Sequence, residues 1–215
     1  MTKRSPITYE EALRDNAPPE ARWKESGIPP RFMGCSFETY DATTDDQRRA
    51  LALAKHYAFT FRDAMQHGSC LLMIGRTGTG KTHLACTIAK HVMARNCSVR
   101  FDTVQRAIRT IKDTWSTKAS QAEALKVYTR PDLLILDEVG TQFGSDAERL
   151  VLFDILGERY DFMRPTVLIS NLPKADVAQM IGDRILDRMR EGGGQQIVFD
   201  WDSHRATPRT TEGTK

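Results

Sequence analysis

Gly75-Arg76-Thr77-Gly78-Thr79-Gly80-Lys81-Thr82 fills every fixed position of the pattern G-x-x-x-x-G-K-[ST]. Ahead of it, Cys70-Leu71-Leu72-Met73-Ile74 is an apolar run suited to a buried parallel strand. Behind it, Thr82 to Ala94 carries helical spacing through Leu84, Ile88 and Val92. A strand handing over to a helix through glycines is the setting in which this pattern cradles a polyphosphate. Glycines at 75, 78 and 80 permit positive φ and close approach, so that successive N–H groups and the helix N-terminus point at an anion. Lys81 supplies a point charge for the β and γ phosphates, and the Thr82 hydroxyl is placed to ligate Mg²⁺. ATP and Mg²⁺ are the expected cofactors, with Gly75, Arg76, Thr77, Gly78, Thr79, Gly80, Lys81, Thr82 and His83 touching the nucleotide.

Downstream, Leu133-Leu134-Ile135-Leu136-Asp137-Glu138 is an apolar strand that ends in two acids. Buried on both faces, it delivers Asp137 at its carboxyl end, where it can hold the Mg²⁺ hydration shell opposite Thr82. Glu138 is then placed to polarise an attacking water. Further apolar runs at Val99-Arg100-Phe101, Thr166 to Ser170 and Gln196 to Trp201 raise the strand count to five, alternating with helical segments. Such alternation predicts a doubly wound α/β core with a parallel sheet flanked by helices. The fourth strand ends at Asn171, whose amide can orient water or contact the γ phosphate. Only a short tail follows the fifth strand, so no C-terminal lid domain is expected.

Thr44 can cap a long helix reaching Met65, with Asp45 and Asp46 in its first turn. Its apolar face runs through Ala50, Leu53 or Ala54, Tyr57 or Ala58, Phe61 and Met65. A basic helix from Val104 to Trp115 presents Arg106, Arg109 and Lys112. It is either a solvated face or a track for a phosphate backbone ending in a base-stacking Trp115. A short helix precedes Arg130-Pro131. The helix Asp146 to Phe162 has an apolar face through Leu150, Val151, Phe153, Ile155 and Leu156. Residues 174–190 read as helical turns, with Arg184 and Arg188 on one face, suited to pairing with Asp183 and Asp187 or to reaching another subunit's nucleotide.

The remaining properties bound the class. The chain has 215 residues, 40% apolar and 27% charged, with a net charge of +3 too small to imply a polyanionic partner by itself. Cys35, Cys70, Cys86 and Cys97 form no C-x-x-C pair, which argues against a zinc ribbon and fits a reducing cytoplasm. The sequence has neither a signal-length apolar run near its start nor a membrane-length one anywhere. Residues 1–35 read as a Pro-rich arm with at most one short helix, Tyr9 to Asn16. Residues 36–205 form the expected ATPase domain, and 206–215 a flexible tail. Gly27 to Phe32 and Cys35 to Tyr40 either cover an adenine or pack against the first helix of the core. His56 and His67 have no ligand partners in the sequence pattern and read as structural.

Beyond the two phosphate motifs, Ser26-Gly27-Ile28-Pro29, Cys35-Ser36-Phe37-Glu38-Thr39-Tyr40, the stretch Gly182 to Arg190 and Phe199-Asp200-Trp201-Asp202-Ser203-His204-Arg205 are particular. With them the chain resembles AAA+ ATPases of the DnaC-type replicative helicase loaders over about residues 26–206, and the related IstB-type transposition helpers. The resemblance implies that Asn171 is sensor 1 and Arg188 an arginine finger acting on a neighbouring subunit, with Arg184 as the other candidate. It implies that Arg109, Lys112 and Trp115 grip single-stranded DNA, and that Arg205 approaches nucleotide. The expected partners are single-stranded DNA, a replicative ring helicase and further copies of the chain. Those loaders carry a helical N-terminal domain that docks the helicase, whereas only the Pro-broken arm precedes the core here, as in a shortened phage or mobile-element form. Two rival readings are an ATPase adaptor for transposition and an inhibitor that sequesters a helicase.

Overall fold

The computed structural model describes residues 20–115, 118–140 and 145–204. At its centre lie β1 (Leu71–Gly75), β2 (Val99–Thr103), β3 (Leu133–Asp137), β4 (Thr166–Ser170) and β5 (Gln195–Phe199). They pair in the order β2-β3-β4-β1-β5, every pairing parallel. The three inner strands β1, β3 and β4 read as apolar runs because both faces of the sheet are covered there, whereas the edge strands β2 and β5 include polar residues. Leu71, Met73, Leu133, Ile135, Val167 and Ile169 face one core, while Leu72, Ile74, Leu134, Leu136 and Leu168 face the other. That alternation is the period-2 geometry of a strand.

On the first face lie α1 (Glu20–Ser26), α2 (Asp45–Phe59), α3 (Phe61–His67) and α4 (Lys81–Ala94). The second carries α5 (Val104–Lys112), α6 (Lys118–Thr129), α7 (Asp146–Asp161), α8 (Lys174–Ile181) and α9 (Asp183–Glu191). α2 begins with a capping box: the Gln47 N–H donates to Thr44 Oγ1 at 3.3 Å, and the Thr44 N–H to Gln47 Oε1 at 2.8 Å. Among the described residues no helix is long and apolar enough to cross a membrane.

Several expected elements are redrawn. The single helix from Thr44 to Met65 is two, broken at Thr60, where the backbone turns to φ −96°, ψ 21° and the hydroxyl donates to the His56 carbonyl at 2.8 Å. Of the alternatives on its face, Ala54 is buried and Leu53 faces outward. On α7 the sheet takes Val151, Leu152, Ile155, Leu156 and Arg159, leaving Leu150 and Phe153 exposed. The basic helix stops at Lys112, so Trp115 lies beyond it. β2 continues to Thr103, and β5 ends at Phe199 rather than Trp201.

The boundary at residue 36 does not appear in the packing. Trp23 and Ile28 are buried in the first core, and the Arg22 guanidinium donates to Asn96 Oδ1 at 2.6 Å. At Gly27 (φ 76°) the chain runs so close to β2 that a Cβ would sit 2.5 Å from the Phe101 carbonyl oxygen. Residues 20–35 therefore cover the β2 edge of the sheet. The helix expected over Tyr9 to Asn16, Arg205 and the tail 206–215 lie outside the described residues.

Candidate functional site

The loop between β1 and α4 has the backbone that its glycines predict. Gly75, Gly78 and Gly80 have φ of 136°, 81° and 94°, in the region that side chains rarely adopt. Gly75 also needs the missing side chain for space, since a Cβ there would lie 2.1 Å from the Phe199 carbonyl oxygen. The same carbonyl accepts from the Arg76 N–H at 3.1 Å, so β5 anchors the start of the loop. Lys81 is buried and its ammonium donates to the Gly75 and Arg76 carbonyls at 2.6 Å each, inside the curl of the loop. Thr79 Oγ1 closes the curl onto the Arg76 carbonyl at 2.8 Å.

Thr82 Oγ1 donates to Asp137 Oδ2 at 2.9 Å, joining the first turn of α4 to the end of β3. Burial raises the Asp137 pKa, while the Thr82 hydroxyl, the Glu138 N–H and the Lys81 charge pull it down. A hydroxyl and a carboxylate side by side are the hard oxygen donors that Mg²⁺ takes. Glu138 follows at φ 62°, an uncommon conformation for a residue with a side chain, and is exposed beside the loop. The backbone beyond it is pinned to β4: the Val139 N–H donates to the Ile169 carbonyl, and Ser170 Oγ to the Val139 carbonyl at 2.6 Å. Because β4 lies between β1 and β3, Asn171 emerges at the edge shared by the phosphate loop and the two acids.

Two flanking segments close on the loop. Tyr40 Oη and Trp201 Nε1 both donate to the Thr79 carbonyl, at 3.3 and 3.1 Å. His83 Nε2 sits 2.8 Å from the Ser36 carbonyl, and the His204 N–H donates to the Gly78 carbonyl at 3.0 Å. Of the two roles that the sequence left open for Cys35 to Tyr40, packing against the first helix of the core is the one seen. Phe37 packs between α2 and α4, against Phe59 and His91, while Tyr40 reaches the phosphate loop. Trp201 contacts the loop because the chain leaves β5 early, which strand periodicity does not reveal.

The remaining sites lie apart. Arg188 stacks on the Tyr160 ring at 4.8 Å, beside Gly68 and Ser69 at the amino end of β1, so it is remote from this chain's own phosphate loop. Arg184 is exposed one turn earlier, and neither arginine pairs with Asp183 or Asp187 among the described residues. The DNA candidates divide. Arg109 faces the end of β3, whereas Lys112 turns to Glu148 on α7 at 3.6 Å and stands 5.8 Å from the Trp115 ring centroid. Trp115 is 45% exposed.

A five-stranded parallel sheet in this order, with a glycine loop after β1 and paired acids after β3, defines a P-loop nucleotide-binding core of the AAA+ type. The chain belongs to the family of IstB-like ATP-binding proteins, whose profile it matches over residues 7–192. It is 33% identical over 185 residues to the replicative helicase loader DnaC of Escherichia coli K12, spanning 86% of this chain and 74% of that protein. To DnaC of Buchnera aphidicola subsp. Schizaphis graminum it is 33% identical over 210 residues, 96% of this chain and 84% of the other. The crystal structure of a DnaC helicase loader superposes with a TM-score of 0.71 at 24% identity, covering 80% of this chain and 99% of that one.

Proposed function

We propose that the chain is an ATP-hydrolysing DNA replication factor that binds single-stranded DNA and loads or remodels a replicative ring helicase. The observation that carries the ATPase reading is the contact of Thr82 Oγ1 with Asp137 Oδ2 at 2.9 Å, which joins the phosphate loop to the paired acids. The extended identity to replicative helicase loaders carries the partner. It also favours the loader over the transposition adaptor.

In this reading the loop N–H groups and Lys81 hold the β and γ phosphates, with Lys81 exchanging its two carbonyl partners for phosphate oxygens. Thr82 and Asp137 would hold Mg²⁺, Asp137 by way of its hydration shell, and the ion would neutralise charge on the phosphates. Glu138 accepts a proton from the attacking water, and Asn171 orients that water. Arg188, remote from its own loop, completes the site of an adjacent subunit, so ATP lies at interfaces in an oligomer; Arg184 is the alternative finger. Arg109, Lys112 and Trp115 contact the DNA strand.

Lys81→Ala should abolish binding of a labelled ATP analogue. Glu138→Gln should bind it normally while turnover falls at least a hundredfold, the typical contribution of acid–base catalysis, about 10²–10⁴. Normal turnover by Glu138→Gln would remove the acid from the mechanism.

A further inference from the structure

Arg188 and Tyr160 line a cavity of about 700 Å³ at the amino end of β1, whose other walls are residues 66–69 and 191–193. The phosphate loop leaves the carboxyl end of the same strand, about 16 Å away along it. The helices that carry the pair are fixed to each other, because Ile155 and Leu156 of α7 share the second core with Ile185, Leu186 and Met189 of α9. Arg188 stands at the rim of that packing, its guanidinium over the Tyr160 ring at 4.8 Å from the centroid. The Tyr160 hydroxyl in turn donates to the Glu191 carboxylate. Glu191 stands three residues after Arg188 on the same helix, a spacing at which opposite charges pair. No such pair forms: among the described residues neither Glu191 nor Asp161, the two acids lining the cavity, is ion-paired with Arg188.

We infer that Tyr160 is a positioning residue for Arg188, holding the guanidinium on its ring face and keeping the Glu191 carboxylate away from it. The inference rests on the reading of Arg188 as a finger for a neighbouring subunit's ATP, and adds the residue that keeps the finger usable. A finger acts through its positive charge on the transferring phosphoryl group. An acid paired to it would neutralise that charge and would have to be displaced whenever the finger engaged. A ring face does neither. It attracts the cation through its quadrupole and leaves the N–H donors at the guanidinium edge for phosphate oxygens. It also restrains a long side chain whose rotamer freedom would otherwise be lost on reaching the phosphate. The hydroxyl completes the arrangement: by occupying Glu191 it removes the rival partner on the finger's own helix.

The test is steady-state ATP turnover by the full chain, with affinity for a labelled ATP analogue measured on the same variants. Tyr160→Phe keeps the ring and frees Glu191 to pair with Arg188. Turnover should fall about two- to fivefold, the rate equivalent of about 0.5–1 kcal/mol for an exposed ion pair, with analogue affinity unchanged. Adding Glu191→Gln should return Tyr160→Phe to the wild-type rate, a rescue that a merely structural role for the tyrosine would not give. Tyr160→Leu removes face and hydroxyl together and should fall further; Lys81→Ala subunits, which keep Tyr160 and Arg188, should restore part of its turnover on mixing. Wild-type turnover in Tyr160→Phe, or a loss that Glu191→Gln does not rescue, with Arg188→Ala impaired, would overturn the inference and leave the finger standing. Normal turnover in Arg188→Ala, or none in the wild type, would overturn both.

Discussion

Arg159 is 1% exposed, yet no carboxylate pairs with it among the described residues. Its guanidinium donates instead to oxygens around the amino ends of β3 and β4. Nη1 reaches the carbonyls of Tyr128 (3.0 Å), Thr129 (3.3 Å) and Pro131 (2.8 Å), Nη2 those of Asp132 (3.4 Å) and Pro165 (2.6 Å), and Nε reaches Thr166 Oγ1 (2.9 Å). Burial pulls its pKa down to about 9, so the cation persists at neutral pH. Arg159→Met fills much of the volume and removes every donor. The carbonyls of Tyr128, Thr129 and Pro131 then lose this donor, at about 1–3 kcal/mol each. Part of that loss is offset because a charge no longer has to be buried. The net expectation is a loss of about 3–5 kcal/mol, or about 6–20 °C in Tm for a chain of this size. Arg159→Lys keeps the charge but not the fork and should fall between. Urea unfolding followed by circular dichroism measures all three proteins. A loss below about 1 kcal/mol in Arg159→Met would refute the argument that these carbonyls depend on one side chain.

Arg188→Ala should leave affinity for an ATP analogue unchanged and lower turnover about a thousandfold or more, the usual worth of an arginine finger. Mixing it with Lys81→Ala, which keeps Arg188 but binds no ATP, should restore part of the activity; no recovery would exclude a site shared between subunits. Burial lowers His91, packed against Phe37 and Phe59, from 6.5 to about 4. Between those pH values the unfolded chain binds the proton and the folded one does not, so stability falls as acid is added from pH 6.5 to 4. The loss is about 3 kcal/mol, and His91→Gln should flatten the urea midpoint across that window; an unchanged pH dependence would refute the assignment.

The phosphate loop, both acids and Asn171 were legible because they are local: each lies at the end of a short apolar run, and a parallel sheet brings such ends to one edge. What the sequence hid depends on contacts distant along the chain. Arg159 sits at helical spacing from Ile155 and Leu156, a signal that could have placed it inward, but its partners come from the end of α6, the turn that follows it and the segment entering β4. Tyr40 and Trp201 meet at the Thr79 carbonyl from opposite ends of the chain. Leu150 and Phe153 carry the apolar character of a buried face yet lie on the arc that the sheet does not reach. The packing of residues 20–35 was concealed by prolines, which forbid a long helix without preventing close contact with a sheet edge.

Nucleotide-dependent attachment to a replicative ring helicase is what the proposed loader function requires. It is tested most directly by light scattering of the full chain, with and without ATP, mixed with the ring helicase of its own cell. The expected result is a complex whose mass depends on ATP and which Lys81→Ala does not form. No association in either state, with ATP-dependent assembly on duplex DNA instead, would contradict it and point to the transposition adaptor.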